Sequence, residues 1–184
     1  MPLFEKASSY YILYRCKTKT NMKQNNQKRK AALAAKSKAE SLKFQTMWGA
    51  HQKMGEVTAE VENRINEEIM VLNNLHLADD ILTLKDALDK ARTELCVVSE
   101  PSKGIMAGSM VAYCLDLEPT NVLQTGAELN PMDFKLPLHL TITFSNEVRN
   151  KVAEWFQCHG FTMTTFLGQP MLKMSNIRVV IKFS

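Results

Sequence analysis

The stretch Pro101-Ser-Lys-Gly-Ile-Met-Ala-Gly-Ser-Met-Val-Ala-Tyr113 decides how this chain is read. Two glycines, Gly104 and Gly108, punctuate it, and Ser109 stands directly before the apolar run Met110 to Tyr113. Glycine lets a backbone turn sharply or approach another group closely. A serine at the head of an apolar run accepts a hydrogen bond from the first free N–H groups of a helix. The sequence therefore predicts a loop from Glu100 to Ser109 and a helix opening within Ala107 to Leu115.

Upstream, Glu56 to Leu75 carries Val61, Ile65, Ile69 and Leu72 on one helical stripe. Thr58 is placed to cap it, and Glu60 and Glu62 suit the positive end of the helix dipole. A second helix is expected over Asp79 to Thr93, capped by Asp79 or Asp80, with Ile81, Leu84, Leu88 and Ala91 on its buried face. Leu95-Cys-Val-Val98 reads as a short buried strand. The Ala, Lys and Leu content of Lys28 to Lys43 favours helix.

Downstream, Glu118 to Lys135 is irregular. Leu138 to Phe144 alternates as a strand: Leu138, Leu140, Ile142 and Phe144 point one way, His139, Thr141 and Thr143 the other. Ser145 is then expected to cap a helix that buries Val148, Val152, Trp155 and Phe156 and stops at Gly160. The tail reads as sheet: Phe161 to Leu167, Met171 to Met174 around Gly168-Gln-Pro170, and Ile177 to Phe183 with Arg178 and Lys182 facing out. Ser175-Asn176 is the expected turn between the last two strands.

Of 184 residues, 45% are hydrophobic, so one domain with a core and an arm is the natural organisation. No apolar run reaches the roughly 18 residues that span a bilayer. Tyr10 to Tyr14 is too short for a secretory core. A cytoplasmic protein with no membrane partner is expected. Cys16, Cys96, Cys114 and Cys158 form no C-x-x-C pair, and reduced, mostly buried thiols follow. Cys158-His159 is the one adjacent pair of possible metal ligands, too few for a site. Trp48 and Trp155 fit hydrophobic faces. The net charge of +4 is uneven: residues 1–45 carry eleven Lys or Arg against two acids. A basic arm of this kind attracts phosphates, or is simply solvated. Met22, inside it, is a possible start of translation.

The stretch from Pro101 to Tyr113 resembles the P-G-R-G-S-A-A-G-S-L-V-A-Y segment in the palm of the bacterial C-family replicative DNA polymerases, the polymerase III alpha subunits. Arg64-Ile-Asn-Glu-Glu-Ile-Met-Val-Leu72 and Leu77-Ala-Asp-Asp80 are similar to that family's R-L-x-x-E-L-x-V-I and F-A-D-Y. Gly49-Ala-His-Gln-Lys-Met-Gly55 resembles its G-A-x-x-R-Y-G. Leu115 to Pro119 and Glu128-Leu-Asn-Pro131 resemble L-G-I-T-x-x-x-P and R-F-L-N-P. His139 to Ser145 stands where the family has D-I-D-I-D-F. These pieces stand in the same order and cover about residues 39–160.

The resemblance implies an α+β fold of nucleotidyltransferase type, a small mixed sheet packed with helices, over 39–184, with 1–38 as a basic helical or disordered arm. It implies a triphosphate held by the G-S segment and two magnesium ions held by the D-x-D acids. Lys103, Gly104, Gly108 and Ser109 match the phosphate-holding positions. Lys103 keeps a charge without the arginine fork, and Ile105 and Met106 replace Ser and Ala. The metal strand departs furthest: His139, Thr141 and Thr143 occupy its three acidic positions, and they lack the anionic oxygens that magnesium takes. No catalytic residue and no cofactor are therefore expected. The leading expectation is a non-catalytic module that binds DNA through its arm, or a replication protein. An enzyme recruiting Asp116 or Glu118 as its acids is the alternative, and a decayed fragment the second alternative.

Overall fold

The computed structural model describes residues 30–31, 33–101, 104, 106–130, 132 and 134–184, without the side chains of 149 and 150. The chain divides into two units after Lys38. Of the first, 30–31 and 33–38 are described, and they are helical, as the composition of Lys28 to Lys43 predicts.

In the second unit, residues 39–54 form helix α1. Helix α2 spans Ala59–Asn74, and the Thr58 side chain accepts from Val61 N–H. Helix α3 spans Ala78–Leu95. Strand β1 is Ser99–Pro101, and the short helices α4 and α5 are Met110–Cys114 and Val122–Thr125. Strand β2 is Leu138–Phe144, followed by a 3-10 turn at Asn146–Val148 and helix α6 at Arg149–Cys158. Strands β3 (Thr162–Phe166), β4 (Gln169–Lys173) and β5 (Ile177–Phe183) end the described chain. One five-stranded sheet has the order β1-β2-β5-β4-β3. Strands β2 and β5 are parallel, with α6 and the β3–β4 hairpin in the connection, and the other pairings are antiparallel. Mixed pairing with helices between strands is the α+β arrangement the sequence implies.

The core follows the period of each element. Val61, Ile65, Ile69 and Leu72 of α2 are buried, as are Ile81, Leu84, Leu88 and Ala91 of α3. Leu138, Leu140, Ile142 and Phe144 bury the inner face of β2 beside Ile177, Val179 and Ile181 of β5. Val152, Trp155 and Phe156 of α6 pack into the same core.

Several local expectations are corrected. Leu95 to Val98 is not a strand: α3 runs through Leu95, Cys96 closes it in the left-handed region (φ 52°), and Val98 is 76% exposed. The strand lies a turn further on, at Ser99–Pro101, where it pairs with Phe144 to Ile142. Asp79 and Asp80 do not cap α3; its N-cap is Leu77, without a side-chain bond. Buried Asp80 instead accepts the N–H of Asn176, tying α3 to the β4–β5 turn. Ser145 caps through its carbonyl, which accepts from Val148 N–H and produces the 3-10 turn before α6. The β3–β4 loop is tighter than expected. Leu167 and Gly168, both at positive φ, form the turn, so Gln169 and Pro170 join β4. Pro170 faces Thr165 across the hairpin. Cys96 and Cys158 are exposed, because both stand at helix ends that face solvent; Cys114 alone of the described cysteines is buried.

Candidate functional site: the loop and helix around Ser109

Ser109 sits directly before α4, fully buried, and its hydroxyl oxygen accepts Ala112 N–H at 3.0 Å. The capping role read from the sequence is thus present. The hydroxyl proton goes elsewhere: Ser109 donates to Glu68 Oε2 at 2.8 Å. The Glu68 carboxylate also accepts Met110 N–H and Val111 N–H, each at 3.0 Å. A buried carboxylate from α2 therefore takes three donors at the head of α4. Charge-assisted bonds of this kind, at a helix start, are the favourable setting for an anion.

Arg64, one turn before Glu68, completes the arrangement. Its Nε lies 3.2 Å from Glu68 Oε1. One Nη donates to the carbonyl of Gly108 at 2.9 Å and also to that of Ala127. The guanidinium thus joins α2, the loop before α4 and the segment after α5. Gly108 is held against that last segment so closely that a Cβ would lie 2.3 Å from the Glu128 carbonyl oxygen. Gly104 N–H donates to Glu118 Oε2 at 3.0 Å, and Glu118 Oε1 accepts from Thr120 at 2.9 Å. Lys103 lies outside the described residues.

A second junction binds α1 to the far end of α4. At Gly49 a Cβ would meet the Cys114 carbonyl oxygen at 2.0 Å, so the helices touch backbone to backbone. Lys53, one turn on, donates to the Tyr113 carbonyl, pairs with Asp116 Oδ1 at 2.6 Å and lies 4.3 Å over the Tyr113 ring. The pair Asp116 and Glu118, the candidate replacement acids, is thus divided: one is ion-paired to Lys53, the other buried against Gly104 and Thr120.

The outer face of β2 carries His139, exposed, with Thr141 and Thr143 half-buried. Parallel register sets His139 beside Arg178 and Thr143 beside Lys182 of β5, and neighbouring residues in register point to one face. The His139 ring is 6.0 Å from Phe166. One imidazole, two hydroxyls and two cationic neighbours do not fit a pair of divalent cations, which require hard anionic oxygens. Among the described residues no group of three or more His, Cys, Asp or Glu is arranged to hold a metal ion. His159, beside Cys158, stacks on Trp155 with centroids 3.8 Å apart and lies 3.6 Å from Glu94.

Sequence reasoning alone does not mark Arg64 and Glu68 as site residues. A signal was present: Glu68 falls on the stripe of Val61, Ile65 and Leu72, where a carboxylate needs a buried partner. Trp48 is a correction of another kind. It is 63% exposed, and Phe44, one turn earlier, is 73% exposed. They line a cavity of about 570 Å³ with Lys53, Lys85, Asp86 and Cys114.

The family described as "Bacterial DNA polymerase III alpha NTPase domain" matches residues 40–179. A DNA polymerase III subunit alpha of Halalkalibacterium halodurans is 34% identical over 109 residues, covering 56% of this chain and 10% of that relative. The chain thus corresponds to about a tenth of the length of the relative it matches. No described helix is long and apolar enough to cross a membrane. The matched stretch takes in every residue that meets at Ser109 and at Gly49, and the chain belongs to the bacterial DNA polymerase III alpha NTPase domain family.

Proposed function

We propose that this chain is a non-catalytic member of its family, a palm-like domain that engages DNA through its basic arm. The observation that carries the reading is the outer face of β2, where His139, Thr141 and Thr143 stand beside Arg178 and Lys182 and offer no anionic oxygen to a metal pair. Ser109 O–H, Met110 N–H and Val111 N–H are directed at Glu68, and Arg64 neutralises that carboxylate. Arg64 and Glu68 match the Arg and Glu of the family's R-L-x-x-E-L-x-V-I, so this junction supports a retained framework and not lost chemistry. Gly104 N–H serves the loop, donating to Glu118.

Charge favours the arm as the nucleic-acid contact. Residues 1–38 carry ten basic side chains and one acid, whereas residues 39–184 carry thirteen against eighteen. A body of net negative charge repels phosphates, and a basic arm attracts them.

The test has two parts. Primer extension with magnesium or manganese is expected to give no incorporation; measured incorporation overturns the non-catalytic reading. A thermal melt with nucleotide and metal together is expected to show no shift. A rise that needs both and is lost in Ser109→Ala supports the enzyme instead.

A second reading, a replication protein as partner, is favoured by the exposed Phe44 and Trp48 beside their cavity. Phe44→Ala with Trp48→Ala separates it from the first. DNA affinity is unchanged, and binding to a replication protein is lost.

A further inference from the structure

Strand β3 is one edge of the sheet, and among the described residues nothing pairs with its outer side. Its sequence, Thr162-Met-Thr-Thr-Phe166, has no charge, no proline and no glycine. All of its residues are exposed except half-buried Met163. Sheet edges left open in this way are templates for another strand, and natural edges are usually blunted by charge, proline or shortness. The opposite edge shows that contrast: β1 has three residues, and they include Glu100 and Pro101.

The register identifies which groups face outward. Leu167 and Gly168 form a two-residue turn, so Phe166 and Gln169 close the hairpin as a hydrogen-bonded pair. Bonded and non-bonded pairs alternate along an antiparallel ladder. Thr164 with Met171 and Thr162 with Lys173 are then bonded pairs, while Met163 and Thr165 turn their N–H and C=O groups to the open side. Pro170, which has no N–H, stands at the non-bonded position opposite Thr165, as this phase requires.

We infer that β3 pairs antiparallel with β3 of a second copy of this chain, about a two-fold axis at Thr164. A self-complementary strand is the condition for such an isologous contact. Centred on Thr164, the pairing sets Met163 against Thr165 of the other copy and Thr165 against Met163. Both are the residues with outward donors, so about four main-chain hydrogen bonds form across the axis. Thr164 meets its own counterpart, a favourable cross-strand pair. Charge raises no obstacle. The groove between α6 and the hairpin is lined by Ala153, Gln157, Met163, Thr165, Gly168 and Pro170, uncharged on both layers. A two-fold copy therefore brings no like charges together along this boundary.

The test is sedimentation velocity of the full reduced chain over a concentration series. A species of about twice the chain mass is expected. Thr164→Lys places two like charges on the axis, and Thr165→Pro removes an outward donor while sparing the hairpin bonds. Both are expected to sediment as monomers that still unfold in one cooperative melt. Thr164→Cys, in a background of Cys16→Ser, Cys96→Ser and Cys158→Ser, is expected to form a disulfide-linked dimer on mild oxidation. A monomer at every concentration overturns the inference, as does a dimer that persists in both edge variants. If either edge variant fails to fold, absence of the disulfide cross-link in the Thr164→Cys variant overturns it.

Discussion

Glu68 accepts the Ser109 hydroxyl at 2.8 Å, across forty-one residues of sequence, from a position 5% exposed. The bond joins two segments that each carry part of the family resemblance. The same holds elsewhere: Lys53 meets Tyr113 and Asp116, Arg64 meets Gly108, and Gly104 meets Glu118. The family-like residues are one another's partners, so the framework persists as a packing requirement even where the acidic strand positions have changed.

Removing that carboxylate measures the framework directly. Glu68→Ala strands the buried Ser109 hydroxyl and two N–H groups, and takes the carboxylate partner from half-buried Arg64. A loss of about 3–5 kcal/mol is expected, the range for breaking a buried pair from one side. Glu68→Gln retains one acceptor and is expected to cost less. Urea unfolding of the three proteins checks the order, and equal stabilities would show that Glu68 bonds weakly.

The two close backbone contacts give a second expectation. Gly49→Ala places a methyl 2.0 Å from the Cys114 carbonyl, and Gly108→Ala places one 2.3 Å from that of Glu128. Backbone on both sides leaves no flexible side chain to yield. Each substitution is expected to destabilise by about 1–3 kcal/mol or more. Calorimetric melts read the loss; a shift of under a degree in either would mean that α1 or the 128 segment adjusts freely.

Much of this fold is legible in the sequence because its signals are periodic. The α2 and α3 stripes, the β2 alternation and the tail strands follow from spacing alone. The junctions at residues 95–101 are less legible. Leu95 to Val98 has strand composition, yet helix α3 continues until Cys96 turns left-handed and leaves Val98 in solvent. The Ser109 site is half legible. The helix cap is a local signal, whereas Glu68 reaches Ser109 only when α2 and α4 pack. Trp48 misleads for the same reason: helical spacing identifies a face, and only neighbours decide whether it is covered.

Cys114 supplies a pH dependence. Burial is the main cause that pushes its thiol up to about 11, helped by Glu68 and Asp116 and opposed by Lys53. A pKa raised in the folded state means that the unfolded chain releases this proton first. Its contribution to stability is complete below about 9 and is lost as pH rises through about 11. The difference in unfolding free energy between the parent and Cys114→Ala is therefore expected to shrink across that window. A constant difference from pH 8 to pH 11 would contradict the burial account.

The arm makes the last expectation, because its charge is separable from the fold. Lys17, Lys19, Lys23, Lys28, Arg29 and Lys30 lie in a run without acids. If they neutralise phosphates, each contributes about 0.7 to the dependence of log affinity on log salt for single strands. Converting all six to glutamine is expected to lower that slope by up to about 4 and to weaken binding uniformly across DNA sequences. The melting temperature of the body is expected to stay put, since its core lies within 39–184. Fluorescence anisotropy on a labelled oligonucleotide at several salt concentrations supplies the slope. Binding that survives with its salt dependence intact would move the DNA contact from the arm to the acidic body, where Arg178 and Lys182 beside β2 are the cations to substitute next.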